Sequence, residues 1–156
     1  FGIMTQPLDG LALGLNVSWN DLTADSAVNT LANSISLFAK GDRLNFSPEY
    51  TAGASLDYTF DLGAGGYEGH FASAGSYSSE QTYRNVLGNV VVTDVGEPML
   101  IVNTSFAVVS PHGWTATLFI DNVNNEQDPG VGLFHVPDWN QRTRPRTAGV
   151  QFEYQF

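Results

Sequence analysis

The residues best suited to chemistry stand together in an oxygen-rich run that follows an apolar segment. The run comprises Asp121, Asn122, Asn124, Asn125, Glu126 and Asp128. Carboxylate and amide oxygens are the ligands that Ca²⁺ prefers, so a calcium site is one interpretation. The spacing, however, lacks the glycine and the distal glutamate of an EF-hand loop. The sequence favours a second interpretation, in which these side chains cap loop backbone where a strand ends.

Acid–base or metal chemistry needs side chains that converge, and the sequence shows no such group. The three histidines are spread over a predicted strand, a turn and a loop: His70, His112 and His135. Neither a Gly-x-Ser-x-Gly elbow nor a phosphate-binding glycine loop after a strand occurs. Three carboxylates on the polar face of the predicted strands are expected to be solvated or paired with arginine: Asp57, Glu68 and Glu153. We therefore expect no enzyme, no metal and no cofactor.

The last long polar stretch combines aromatic and cationic side chains. His135, Trp139 and Arg142 lie close together in it, and Arg144 follows. A ring beside a guanidinium suits an anionic chelate or a sugar, so His135, Trp139 and Arg142 are candidate ligand-binding residues. The alternative is a solvated loop with an interfacial tryptophan.

The bulk composition excludes several classes of protein. The net charge of -10 argues against nucleic acid as a partner, because phosphate binding needs a basic face. The absence of cysteine excludes disulfide and thiol chemistry. The sequence contains no run of about 18 apolar residues, which a transmembrane helix would need. The aromatic share of 12% and the 16 glycines favour β structure.

Six segments alternate apolar and polar residues, and each is predicted to be a strand. They are Leu11–Trp19, Tyr50–Phe60, Tyr67–Tyr77, Leu100–Val109, Trp114–Asp121 and Ala148–Phe156, and Phe1–Met4 would be the end of a seventh. A period of two puts alternate residues on opposite faces of a strand. One face of every segment is apolar and uncharged, as lipid requires, because a charge at the bilayer midplane costs a barrel about 2–4 kcal/mol.

The predicted connections alternate between long and short. Residues 20–49, 78–99 and 122–143 form long polar stretches that are expected to lack regular structure, whereas 61–66 and 110–113 are tight turns. Outer-membrane barrels combine long extracellular loops with short periplasmic turns in this way. They also carry aromatic girdles, and aromatic residues stand here at the strand ends: Trp19, Tyr50, Phe60, Tyr67, Tyr77, Trp114, Tyr154 and Phe156.

Six strands are too few to close a membrane barrel, since the smallest common ones have about eight. The predicted fold is therefore all-β: an antiparallel transmembrane β-barrel wall that is one arc of a larger barrel. Two alternatives remain. One is a small passive porin whose protomers close the wall by oligomerising. The other is a soluble β-sandwich binding module, because half-buried strands alternate in the same way.

Four stretches, taken together and in order, carry a family resemblance over nearly the whole chain. They are Gln6–Leu13, Leu44–Phe60, Gly113–Glu126 and Arg144–Phe156, the last of which ends on aromatic-x-Phe. They resemble the turn into a late strand, the start of a later strand, the penultimate strand and the closing strand of TonB-dependent outer-membrane receptors. The chain is thus similar to the C-terminal part of that family.

The resemblance implies that residues 1–156 are the C-terminal arc of a barrel of about 22 strands in the bacterial outer membrane, with a periplasmic C-terminus. The implied function is active uptake of a siderophore, cobalamin or glycan type of ligand. The implied partners are outer-membrane lipid, the rest of the barrel with its plug, and TonB, which would act through a plug region absent from this chain. Phe152, Tyr154 and Phe156 would be the signal for the barrel-assembly machinery.

Overall fold

The chain is built from β-strands joined by turns and loops. The computed structural model describes residues 1–30, 35–63, 65–127 and 143–156. These residues form eleven strands: β1 (Gly2–Leu8), β2 (Leu11–Trp19), β3 (Val28–Asn29), β4 (Ser36–Phe38), β5 (Tyr50–Asp61), β6 (Glu68–Ser78), β7 (Thr82–Leu87), β8 (Val90–Val95), β9 (Met99–Val109), β10 (Trp114–Asp121) and β11 (Thr147–Tyr154). The described segments contain no helix long and apolar enough to cross a membrane.

Seven of the strands form one antiparallel sheet, in the order β1-β2-β5-β6-β9-β10-β11. Every neighbouring pair in this sheet is antiparallel. The sheet is open, with β1 and β11 at its edges. The short connections, at residues 9–10, 62–67 and 110–113, share one end of the sheet, and the long connections share the other. The all-β antiparallel prediction is therefore confirmed.

The main sheet has seven strands, where the sequence predicted about six and the end of a seventh. All six predicted segments are strands of the sheet, and Phe1–Met4 belongs to a strand that continues to Leu8. The sequence alternation is lost in β1 because its register shifts between Thr5 and Leu8. At the other edge, the last strand ends at Tyr154, two residues before the predicted end.

The prediction that the long connections lack regular structure was also wrong. Residues 20–49 contain the two-stranded sheet β3–β4, and the next long connection contains the hairpin β7–β8. Gly88, with a φ of 62°, lies in the two-residue turn of this hairpin. A glycine in a two-residue turn just before the valine-rich run Val90–Val95 is a hairpin signal that the alternation analysis overlooked.

Gly10 shows why the first turn requires glycine. Its φ of 76° lies in the left-handed region. A Cβ at this position would also lie 2.1 Å from the carbonyl oxygen of Thr59. The close approach lets the Thr59 amide donate to the Gly10 carbonyl at 2.9 Å, so the turn is tied to the neighbouring strand β5.

The sheet is a single layer without a conventional core. Among the described residues no side chain is fully buried, and three apolar residues count as buried: Ala24, Phe38 and Ala107. Two of these three lie in the first long connection rather than in the sheet. Within the described chain no other element packs on either face of the sheet. Both faces are therefore open to contact with solvent, lipid or another molecule.

Candidate functional site: the two faces of an open sheet

The strand register places one set of side chains on a single face across all seven strands. Leu13 lies opposite Leu56, and Leu118 lies opposite both Phe106 and Val150. Opposite residues of an antiparallel pair point to the same side of the sheet. This face, called the apolar face, comprises the odd-numbered residues of β2 and β6 and those of β1 up to Thr5. It also comprises the even-numbered residues of β5, β9, β10 and β11. It carries no charged residue.

The apolar face is exposed. Leu15 at the middle of β2 is 46% exposed, and Leu118 on the interior strand β10 is 51% exposed. Monomeric soluble proteins rarely expose a continuous apolar surface, and one that spans a whole sheet indicates contact with a partner or a membrane. Covering it would gain about 25 cal/mol per Å² of apolar area removed from water.

Aromatic residues form two rows on the apolar face, one at each end of the sheet. At the end with the long connections, Trp19 lies opposite Tyr50 on the neighbouring strand. At the end with the short turns, rings contact one another across strands: Phe60 with Phe106, Tyr67 with Trp114, and Trp114 with Phe152. Aromatic rings favour the boundary between an apolar and an aqueous medium, because one part of the ring is apolar and the other can stay wet.

The spacing of the two rows follows from the strand that joins them. Tyr50 and Phe60 are ten residues apart on β5, which is about 33 Å at about 3.3 Å per residue. A tilt of about 40° reduces this to about 25 Å, the height of the apolar band of outer-membrane barrels. The indole Nε1 of Trp19 lies 3.4 Å from the Glu49 carboxylate, so its polar atom points out of this band toward the long connections.

A shallow apolar depression of about 630 Å³ lies on the apolar face near the short turns. Its lining is entirely apolar or aromatic: Leu8, Leu11, Leu56, Tyr58, Phe60, Phe71 and Phe106. The lining offers the Tyr58 hydroxyl as its one polar side-chain group. A hydrocarbon chain therefore fits this depression better than a polar ligand, which would need several placed donors and acceptors.

The opposite face, called the polar face, has a different chemistry. It carries five carboxylates and no lysine or arginine: Asp57, Asp61, Glu68, Asp121 and Glu153. His70 is its one basic group, and its Nε2 lies 3.8 Å from Asp57 Oδ1 with both side chains about half exposed. An exposed pair of this kind contributes little to stability. The five carboxylates make the polar face an acidic, hydrated surface.

Small residues shape the middle of the polar face. A trough of about 600 Å³ crosses β1, β2, β5 and β6 there, and its polar-face lining includes Gly14, Asn16, Gly53, Ser55 and Ala74. A Cβ on Gly53 would lie 2.6 Å from the Asn16 amide nitrogen. Glycine at this position therefore lets the asparagine side chain lie flat on the sheet.

The long connections 20–49 and 79–98 are joined into a unit that we call the cap. Asn45 and Arg84 exchange two hydrogen bonds: Asn45 Nδ2 donates to the Arg84 carbonyl at 2.8 Å, and the Arg84 amide donates to Asn45 Oδ1 at 2.7 Å. The Phe46 amide donates to the Thr82 carbonyl at 3.0 Å. The Phe46 and Tyr83 rings stack with centroids 5.1 Å apart.

The Arg84 side chain completes the cap. Its Nη1 lies 2.7 Å from Asp42 Oδ2 in an ion pair. The same guanidinium lies over the Phe38 ring at 5.9 Å. Ser79 links the cap to the sheet, since its hydroxyl accepts from the Glu49 and Tyr50 amides. These hydrogen bonds continue the pairing of β5 and β6 into the first residues of the cap.

Asn122 organises the junction after β10. It is 4% exposed and has a φ of 54°. Its Nδ2 donates to the carbonyls of Glu126 at 2.8 Å and Arg144 at 2.7 Å, and its Oδ1 accepts from the Glu126 amide at 2.8 Å. Its own amide donates to Asn103 Oδ1 at 2.9 Å. The side chain therefore closes the base of the last long connection.

Asn124 extends the ladder of β9 beyond the end of β10. The pairing of β10 with β9 stops at Thr104. Past this point, the Val102 amide donates to Asn124 Oδ1 at 3.1 Å, and Asn124 Nδ2 donates to the Leu100 carbonyl at 2.6 Å. A side-chain amide here takes the place of a peptide group.

These contacts confirm the predicted capping role of the oxygen-rich run. The asparagine side chains at positions 122, 124 and 125 all bind backbone groups. The described residues contain no cluster of three or more acidic or histidine side chains that would hold a metal ion. Asp128 lies outside the described residues.

The structure places the other predicted site residues as follows. His135, Trp139 and Arg142 lie outside the described residues, so their role in ligand binding stays a prediction. The Phe152 ring stacks on Trp114 with centroids 6.0 Å apart, and the Tyr154 and Phe156 rings meet edge to face at 5.5 Å. These contacts place the three residues near the short-turn end of the sheet, and their role as an assembly signal stays a prediction.

Comparison with known proteins gives no match: no family model fits the chain, and neither a curated protein nor a solved structure is significantly similar to it. The function is therefore inferred from the two faces, the aromatic rows, the cap and the sequence motifs.

Proposed function

We propose that this chain is a wall segment of a transmembrane β-barrel in the bacterial outer membrane. Its apolar face would contact lipid, and its polar face would line an aqueous lumen. The observation that carries the proposal is the uncharged and uncovered apolar face, which runs across all seven strands of the sheet. A barrel wall needs such a face because lipid penalises charge, and it needs a polar face because water fills the lumen.

The aromatic rows support this orientation. At a strand tilt of about 40°, which known barrels have, they would bound a band about 25 Å high, the height of the hydrocarbon-facing band. The acidic polar face supports it as well, because five carboxylates stay hydrated only if that side meets water. A soluble sandwich would instead bury its apolar face against a second sheet, and the described residues supply no such layer.

The resemblance to TonB-dependent receptors supports a more specific proposal, in which the wall belongs to a receptor. The four motif stretches suggest that the whole polypeptide takes up a siderophore, cobalamin or glycan type of ligand. In that mechanism loops capture the ligand outside the cell, TonB pulls on the plug, and the wall stays rigid. The cap fits the extracellular role because it joins two long connections into one ordered unit at the proposed outer end.

A site-directed spin-label scan of β5 tests the wall directly. The chain has no cysteine, so single cysteines can be introduced at positions 52 to 59 without removing any. In lipid vesicles, labels at positions 52, 54, 56 and 58 should collide with oxygen, which dissolves in hydrocarbon. Labels at positions 53, 55, 57 and 59 should collide with a water-soluble nickel chelate. The alternation follows from the period of two in the strand.

The scan separates the two classes of fold. Access of the nickel chelate to all eight positions would show that the apolar face meets water, and the membrane proposal would then be abandoned. A soluble β-sandwich would show a different pattern again, with the labels at positions 54, 56 and 58 shielded from both reagents.

A capture experiment tests the receptor class. Purified periplasmic domain of TonB should bind the intact polypeptide that carries residues 1–156, because TonB would act through the plug region. The matched control is residues 1–156 alone, which should capture none. Failure of the intact polypeptide to capture TonB would remove the receptor class and leave the barrel wall standing, since the wall rests on the spin-label result.

A further inference from the structure

Phe46 in the cap has an unusual backbone conformation. Its φ of 61° lies in the left-handed region, where the Cβ of an L-residue crowds the backbone and a bulky side chain is rare. The other non-glycine residues with a positive φ in the described chain are Asn122 and Asn125, a residue type that tolerates this region. Strain that is held by the surrounding structure is typical of functional sites.

The strained backbone presents the Phe46 ring at the surface and does not bury it. The residue is 49% exposed, and its ring stacks on Tyr83 with 30° between the two planes. The hydrogen bond from its amide to the Thr82 carbonyl holds the backbone in place. The two hydrogen bonds between Asn45 and Arg84 hold it on the preceding side. The cap therefore fixes a pair of aromatic rings in an accessible position.

Two polar side chains lie beside these rings. Asp94 is directly opposite Tyr83 in the hairpin β7–β8, so the two side chains share one side of the hairpin. Asn85 follows Tyr83 by two residues and lies on the same side. The Asn85 Oδ1 accepts from the Val86 amide at 2.8 Å, which leaves the Nδ2 group as a donor. The surface thus combines two rings, a carboxylate acceptor and an amide donor.

The charges of the cap disfavour an anionic ligand. Residues 20–49 and 79–98 carry seven carboxylates and three cations. The two arginines nearest to the rings in the chain are both paired, Arg84 with Asp42 at 2.7 Å and Arg43 with Glu49 at 3.1 Å. Neither arginine is left to neutralise a phosphate or a carboxylate, and the excess of carboxylates repels such groups.

A neutral sugar ring matches every component of this surface. The C–H groups on one side of a pyranose are apolar and suit the face of an aromatic ring, which carries partial negative charge. The hydroxyl groups at its rim can donate to Asp94 and accept from Asn85. An organic cation would use the rings and the carboxylate but not the amide donor. A planar apolar compound would leave both polar groups without a partner.

We propose that Phe46, Tyr83, Asn85 and Asp94 bind one sugar ring of a neutral glycan. The position of this site at the outer end of a membrane wall rests on the proposed function. The site makes that function more specific, because it favours a glycan over an anionic siderophore as the ligand that the loops capture. Asn45 and Arg84 act as positioning residues, since their contacts hold Phe46 in its strained conformation.

Calorimetric titration of the intact polypeptide in lipid nanodiscs tests the site. The probes are neutral oligosaccharides of glucose, mannose, galactose and xylose, and at least one of them should bind. Phe46→Asn tolerates the left-handed backbone but lacks the ring, and should weaken this binding about tenfold, as loss of one aromatic contact does. Phe46→Trp keeps an aromatic face and should bind within about threefold of the unmodified protein.

Leu22→Ala is the matched control, because Leu22 also lies in the cap and is also 49% exposed but has no ring. It should leave oligosaccharide binding unchanged. Asn85→Ala provides a second test at an exposed residue without backbone strain, so it keeps the site testable if Phe46→Asn unfolds the cap. It should weaken binding about threefold to tenfold, as loss of one hydrogen bond does.

Several results would overturn the sugar site. They are the absence of binding by every oligosaccharide, equal weakening by Leu22→Ala and Phe46→Asn, and unchanged binding by Asn85→Ala. Binding of choline or phenol in place of the oligosaccharides would also overturn it, because those probes use the rings without the amide.

Failure of the site is distinguishable from failure of the proposed function. The lipid pattern at positions 52 to 58 without oligosaccharide binding would keep the membrane wall and remove the sugar site. Oligosaccharide binding that depends on Phe46, together with loss of the lipid pattern, would keep the sugar site and remove the wall.

Discussion

Replacing Leu15 with arginine is expected to remove most of the folded, membrane-inserted protein. Leu15 is the middle residue of β2 and lies on the apolar face opposite Ile3 and Ala54. An arginine at the bilayer midplane of a barrel costs about 2–4 kcal/mol. A penalty of this size shifts the ratio of folded to unfolded protein by about 30- to 700-fold, at tenfold per 1.4 kcal/mol.

Asn16→Arg is the matched control for this substitution. Asn16 is the next residue in β2, is also exposed, and points to the polar face. The same arginine at nearly the same depth should therefore cost within about 0.5 kcal/mol, as an ordinary surface substitution does. Urea unfolding from lipid vesicles measures both values, and heat-modifiable migration on gels reports the folded fraction.

The comparison tests whether the apolar face meets water, because Leu15 is 46% exposed in the chain alone. The spin-label scan of β5 distinguishes lipid from the second sheet of a sandwich. In a soluble protein, arginine at a half-exposed site would be tolerated, so equal and small losses for Leu15→Arg and Asn16→Arg would place water on both faces. Equal and large losses would mean that the two faces are not distinct. Either result would refute the orientation proposed for the sheet.

Replacing Asn122 with alanine is expected to destabilise the wall at its most highly bonded junction. The change deletes two donated hydrogen bonds and one accepted hydrogen bond at a residue that is 4% exposed. A buried backbone group left without its partner costs about 1–3 kcal/mol. Some of these groups will find water, so we expect a total loss of about 2–4 kcal/mol.

Two control variants separate the contribution of the Asn122 side chain from that of its backbone conformation. Asn122→Gly also loses the side chain but tolerates the φ of 54°, and should be more stable than Asn122→Ala by about 1 kcal/mol. Asn125→Ala has the same φ but removes a single longer hydrogen bond from the Arg146 amide, at 3.2 Å, and should cost less. The urea midpoints should rank accordingly. If Asn125→Ala cost as much as Asn122→Ala, the junction would not depend on the buried amide.

The sequence predicted the faces of the sheet because a period of two is a local signal. The alternation of β5 and β11 is visible in the residues themselves, and the register of the structure confirms the faces. β1 was only half predicted, since the register shift between Thr5 and Leu8 interrupts its alternation. The second half of β1 matters for the topology. Whether the two edge strands run in the same direction depends on whether the sheet has an odd or an even number of strands.

The cap could not be predicted from local patterns. Its central contact joins Asn45 and Arg84, which are 39 residues apart in the chain. The run Val90, Val91 and Val92 does not alternate, so the hairpin that carries Arg84 gave no signal of a half-buried strand. The capping role of Asn122 was predictable in kind from its position after a strand, but its partner Arg144 was not, because the contact spans 22 residues.

The division of the sheet into two faces also has a consequence for the unfolded chain before it assembles. Polar or small residues interrupt the apolar ones in most strands, and the longest uninterrupted apolar runs, Met99–Val102 and Phe106–Val109, have only four residues. The net charge of -10 further favours dispersal in water. In the proposed wall, an apolar surface wide enough to bind a bilayer forms only when paired strands bring alternate side chains together on one face. Strand pairing would therefore precede insertion into the membrane.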